Sequence, residues 1–171
     1  MTTQTASPGA SRGVAYRSYV LFALIVVYTF NFIDRQILGI LAIPIQADLG
    51  LTDTQLGLMR GVSFALFYST LGVPVAILAD RWNRVRIMTV ALTLWSGFTM
   101  ACGLAGNFLQ MFLARMFVGV GEAGGVAPAY SIVSDYFPPE KRATALAIYS
   151  FGIPLGSAIG IVFGGVIATP G

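Results

Sequence analysis

Four ionisable residues stand inside apolar runs of this sequence, Asp34 and Arg35 in one run, Arg115 and Glu122 in another. A charged side chain at the centre of a bilayer costs about 2.5–3.5 kcal/mol on insertion scales, and such residues mark substrate or proton pathways. A carboxylate holds a proton more tightly when desolvated and less tightly beside a guanidinium. If the arginine moves away during a working cycle, the carboxylate can switch between holding and releasing a proton. Arginine stays charged throughout, which suits it to a gate or an anion contact. Asp34 and Glu122 are therefore the expected proton-coupling pair, with Arg35 and Arg115 as charge partners. A static ion-pair network fixing helix register is the competing reading. Asn31, about one turn before Asp34, can line the same cavity. Tyr28 and Tyr130 can also face it, although aromatics in membrane helices more often pack or sit at the interface.

These residues need long helices to carry them. A spanning helix takes about 20 apolar residues, and five segments qualify, at about 18–46, 54–79, 85–105, 108–135 and 142–168. At a rise of about 1.5 Å per residue, Asp34 lies about 24 Å along the first, Glu122 about 18 Å and Arg115 about 28 Å along the fourth, counted from one membrane face. Arg115 and Glu122 are seven apart, so they share a helix face about 10 Å apart. Thr52 or Asp53 is placed to cap the second segment, and Pro138-Pro139 to end the fourth. Arg60 lies near the far end of the second, where snorkelling to the interface is the simple reading.

Composition agrees with this layout. Of 171 residues, 56% are hydrophobic and 10% charged, against about 25% charged in soluble domains. An ordinary soluble domain or enzyme is not expected. The net charge of +3 sits in short clusters between apolar runs, which argues against a nucleic-acid face. With no His and a single Cys, metal-ligand spacing and an intrachain disulfide are not expected; Cys102 reads as a small packing residue. Residues 1–16 read as a disordered tail and 17–171 as one helical bundle. Arg12 and Arg17 precede the first segment; Arg81, Arg84 and Arg86 separate the second and third; Lys141 and Arg142 separate the fourth and fifth. The other connections carry no Lys or Arg, so the positive-inside rule predicts a cytoplasmic N-terminus.

Three motifs resemble those of one family. The run Ala76-Ile77-Leu78-Ala79-Asp80-Arg81-Trp82-Asn83-Arg84-Val85-Arg86 resembles the signature loop between helices 2 and 3 of the major facilitator superfamily. Ala76 and Asn83 replace glycines of that pattern, and Asn83 is expected to take the turn because asparagine tolerates a left-handed backbone. Arg115-Met116-Phe117-Val118-Gly119-Val120-Gly121 resembles the family's fourth-helix R-x-x-x-G-x-G, and Asp135-Tyr136-Phe137-Pro138-Pro139-Glu140-Lys141-Arg142 its following loop. The resemblance implies helices 1–5 of an all-α, twelve-helix polytopic fold, with spans 1 and 4 as neighbours. It implies a latch of Asp80, Arg81, Arg84, Asp135 and Arg142, in which Asp135 pairs with a signature-loop arginine such as Arg84. Charges that only set topology are the alternative. In the fifth segment Gly152, Gly156, Gly160 and Gly164 recur every fourth residue, with Pro154 among them. This stripe is expected to pack a neighbouring helix closely; it partly resembles an antiporter motif, without the Gly-Pro dipeptide.

Phe32-Ile33-Asp34-Arg35-Gln36 and Gly121-Glu122-Ala123 resemble the spinster group more narrowly, which includes lipid exporters. The implied activity is proton-coupled alternating access, moving an amphipathic lipid-like or hydrophobic organic anion. The proton is the coupling ion, without a cofactor, and the chain needs a C-terminal half. The expected setting is a bacterial inner membrane or its equivalent. Two alternatives stay open: a drug–proton antiporter or sugar/organic-anion symporter of the same superfamily, and a truncated membrane scaffold that transports nothing.

Overall fold

The structure, a computed structural model, describes residues 8–168; the side chains of residues 8–12, 63, 64, 79 and 80 lie outside that description. Among the described residues eight α-helices follow one another: α1 Pro8–Ile40, α2 Ala42–Leu49, α3 Asp53–Gly57, α4 Ser63–Arg81, α5 Arg84–Gly103, α6 Phe108–Tyr136, α7 Pro139–Ser150 and α8 Gly152–Ala168. A π-helical turn, Leu58–Val62, joins α3 to α4. Together they make five stretches long and apolar enough to cross a membrane among the described residues.

Two of the expected spans are broken just before a proline, whereas Pro74 and Pro128 are carried inside unbroken α4 and α6. Proline has no N–H and its ring crowds the carbonyl four residues earlier. Pro44 therefore frees the Ile40 carbonyl, and the first span breaks at Leu41 between α1 and α2. Pro154 does the same to Ser150, and the fifth breaks at Phe151 between α7 and α8. The first helix starts at Pro8, within the stretch expected as a tail. Proline suits a first helical turn because that N–H has no intrahelical partner. Residues 1–7 lie outside the described residues.

Side-chain caps set three helix starts, at α3, α5 and α6. Thr52 and Gln55 form a reciprocal capping box at α3. Asn107 accepts from the Gln110 N–H at 3.0 Å and starts α6. Asn83 is extended, at φ −67° and ψ 108°, and accepts from the Arg86 N–H. It is a helix cap, which corrects the expected left-handed turn: an extended N-cap already lets the chain reverse here.

The helices pack in two groups. α6 lies against α4 and α5, while α1 lies against α8 and α7. Glycines permit both close approaches. A Cβ on Gly121 would stand 2.7 Å from the Trp95 backbone nitrogen, and one on Gly124 2.5 Å from the Ala91 Cβ. A Cβ on Gly156 would stand 2.3 Å from the Thr29 carbonyl oxygen, and one on Gly160 2.7 Å from the Gln36 Cβ. Apolar clusters join the groups at each end. Leu21 and Leu24 meet Met88, Ala129, Val133 and Tyr149 near the arginine-rich end. Leu51, Met59 and Met111 gather near the other. Between these clusters, α1 faces α6 across a polar layer.

Candidate functional site

The polar layer consists of two crossed ion pairs between α1 and α6. Arg35 donates to Glu122 Oε2 from Nε at 3.0 Å and from Nη2 at 2.8 Å. Arg115 Nη1 donates to Asp34 Oδ2 at 3.0 Å. The Arg115 and Glu122 side chains are 4% and 0% exposed, and those of Asp34 and Arg35 are 15% and 34%. The α6 members are thus sealed by α4 and α5, whereas the α1 members reach the open side of the bundle. Arg115 and Asp34 together line a cavity of about 320 Å³.

This geometry assigns Glu122 a different partner from the one its own helix suggests. Glu122 bonds Arg35, and Arg115 takes Asp34. The reason is helical: Arg115 and Glu122 are stacked about 10 Å apart along one face, too far to bond directly. Each therefore meets an opposite charge on α1, where neighbouring residues project about 100° apart.

Arg35 is also held by aromatic rings, with its guanidinium carbon 5.6 Å from the Phe32 centroid and 5.3 Å from that of Tyr68. Cation–π contacts of this kind add attraction without supplying a proton acceptor. Tyr28 stacks on Tyr149 with centroids 4.4 Å apart, and Tyr130 meets Tyr149 edge-on at 5.6 Å. Tyr68, Tyr149 and Trp95 escape sequence reasoning. Phe32 carried a signal, lying three residues before Arg35 on one helix face. Asn31 is buried and lines a small cavity with Glu122 and Trp95.

The remaining expected residues fall in two other places. At the arginine-rich end, Arg84 Nη1 bonds Asp135 Oδ2, and Arg142 Nε donates to the Phe137 carbonyl at 3.0 Å. Arg81 is exposed at the end of α4; the Asp80 side chain lies outside the described residues. On α8, Gly152, Gly156, Gly160 and Gly164 are buried and line up along α1 from Tyr28 to Ile40, which is the helix carrying Asp34 and Arg35. Arg60 is exposed, and its Nη2 lies 3.9 Å from the Cβ position of Gly39. Cys102 is a half-buried free thiol.

A bundle of five membrane-length stretches, with charges paired across it between two apolar seals, defines a polytopic membrane protein with an internal polar layer. Residues 24–171 match the Major Facilitator Superfamily model. The chain belongs to the Major Facilitator Superfamily. Its fold is similar to the crystal structure of a bacterial homolog to the human lysosomal transporter Spinster, in an inward-facing and unoccupied conformation. The TM-score is 0.85 at 46% identity, over 95% of this chain and 32% of that one. By sequence it is 37% identical over 145 residues to an MFS-type efflux pump of Mycolicibacterium smegmatis, covering 85% of this chain and 34% of the pump. It is 30% identical to a probable sphingolipid transporter, spinster homolog 2, of Arabidopsis thaliana, covering 88% of this chain and 34% of that protein. Spinster transporters are thus among its relatives by both sequence and fold, and the chain spans about a third of their length.

Proposed function

We propose that this chain is the N-terminal part of a proton-coupled secondary transporter, and that Glu122 and Asp34 carry its coupling proton. The supporting observation is the crossed pairing of Arg35 with Glu122 and Arg115 with Asp34. Each pair joins a helix of one packed group to a helix of the other, so relative motion of α1 and α6 opens both pairs. A carboxylate parted from its guanidinium in a dry layer gains affinity for a proton. Reclosure brings the guanidinium back and expels the proton. The α1–α6 motion is local to this bundle, and alternating access around a midplane site is completed by a C-terminal half.

The proposed substrate is an amphipathic lipid-like or hydrophobic organic anion. Arg35, partly exposed on the open side, can bind a carboxylate or phosphate, and Tyr28, Tyr68 and Phe32 offer apolar rings beside it. The probable sphingolipid transporter among the relatives supports a lipid. The orientation proposed has the N-terminus and the Arg84–Asp135 latch in the cytoplasm of a bacterial inner membrane or its equivalent, by the positive-inside rule.

The test is transport by the full-length protein in proteoliposomes under an imposed pH gradient, with panels of lysolipids, cationic drugs and sugar acids. Gradient-driven lysolipid movement supports the reading. Gradient-driven movement of drugs or sugar acids alone retains proton coupling and replaces the substrate class. A 34% identical hexuronate transporter of Bacillus subtilis makes the sugar-acid arm a necessary one. No gradient-driven movement of any panel refutes the proposal.

A further inference from the structure

The second oxygen of Glu122 has its own surroundings. Oε2 is held by Arg35, but Oε1 is buried and has no hydrogen-bond partner among the described residues. The same is true of Asn31 Oδ1 and Trp95 Nε1. The three residues are 1%, 4% and 8% exposed. All three line one cavity between α1, α5, α6 and α7, whose volume for the centre of a water molecule is about 10 Å³. A buried water needs about 10–15 Å³ of such volume and two to four polar partners.

We propose that this cavity is a binding site for a single water molecule, fixed between Trp95, Asn31 and Glu122. The hydrogen-bonding inventory selects that ligand. An indole N–H only donates; an amide oxygen and a carboxylate oxygen accept. Water accepts one bond from Trp95 and donates its two hydrogens to Asn31 and Glu122, which satisfies all three groups. An ammonium or metal cation would face the indole N–H with nothing to accept it, and the volume excludes a larger ligand. The wall is rigid where it matters: Gly121 lets the Trp95 backbone approach so closely that a Cβ there would collide with it. Trp95 is thereby a positioning residue, acting on Glu122 through the water. The charged neighbour is Arg35 on Oε2, and the titratable walls are Tyr28 and Tyr149. The site rests on this geometry and not on the proton-coupling reading.

The experiment is solid-state NMR of the full-length protein in lipid nanodiscs with nitrogen-15-labelled tryptophan. It reads transfer of magnetisation from water to the Trp95 indole, with that signal identified by its loss in Trp95→Phe. The expected result is strong transfer in the wild type and its loss in Asn31→Leu, which removes an acceptor and fills the cavity. The exposed Trp82 indole serves as an internal reference for folding and hydration. Glu122→Gln keeps an accepting oxygen, so transfer persists there. Absence of transfer to Trp95 in the wild type, or transfer unchanged in Asn31→Leu, overturns the inference. Proton-coupled transport without the water signal would sink this site and leave the coupling proposal standing. The water signal without proton coupling would do the reverse.

Discussion

Arg35 Nη2 lies 2.8 Å from Glu122 Oε2, joining residues 87 apart in sequence. The carboxylate is sealed on α6, whereas the guanidinium is one-third exposed on α1. Arg35→Lys keeps the charge but loses the forked donation of Nε and Nη2 and weakens stacking on Phe32 and Tyr68. We expect transport to fall about tenfold, equivalent to about 1.4 kcal/mol, in initial-rate assays with protein abundance unchanged.

The Asp34–Arg115 pair is more enclosed. Removing one member of such a pair costs about 3–5 kcal/mol, because it leaves an uncompensated charge in a dry layer. Arg115→Leu should therefore unfold well below the wild type in detergent melts. The double variant Asp34→Asn with Arg115→Leu should recover more than half of that loss. A double variant less stable than Arg115→Leu would mean that the two side chains do not form a pair.

The glycine stripe of α8 sets how close it comes to α1. Gly156→Ala places a methyl group 2.3 Å from the Thr29 carbonyl oxygen, where the partner is backbone and cannot turn aside. Overpacking of this sort costs about 1–3 kcal/mol. Gly97 on α5 is the control, since a Cβ there meets nothing within 4 Å. Gly97→Ala should be neutral or stabilising, by up to about 1 kcal/mol from helix propensity. Melting midpoints of the two variants measured side by side check both.

The Arg84–Asp135 pair sits at the end of the bundle, with side chains 30% and 56% exposed. Exposed pairs contribute about 0–1 kcal/mol and weaken with salt. Asp135→Asn is expected to shift the melting midpoint slightly, and that shift should shrink as salt is raised. A large, salt-independent loss would point to a packing role instead.

Much of this arrangement was legible in the residues, for physical reasons that also mark the limits. Five apolar runs and the deep charges Asp34, Arg35, Arg115 and Glu122 are visible because lipid penalises exceptions so heavily. The Gly152–Gly164 stripe is visible because small residues every fourth position make one face. The breaks at Leu41 and Phe151 lie three residues before Pro44 and Pro154, but Pro74 and Pro128 sit inside unbroken α4 and α6, so a proline alone does not say which helix will break. The choice of Arg35 over Arg115 as the partner of Glu122 was not available. It depends on how α1 is rotated about its own axis, and that rotation follows from its packing on α8. Trp95 escaped for a similar reason: a buried indole on α5 gains its meaning only when Gly121 brings it beside Glu122.

If Glu122 and Asp34 carry the coupling proton, proton flux in the full-length transporter depends on both carboxylates. Substrate addition to proteoliposomes holding a trapped pH indicator should move protons with the wild type. Compared at equal amounts of folded protein, because Asp34→Asn also breaks the enclosed pair with Arg115, Glu122→Gln and Asp34→Asn should each still bind substrate but move no protons with it. Wild-type proton flux in both variants would mean that neither carboxylate carries the coupling proton.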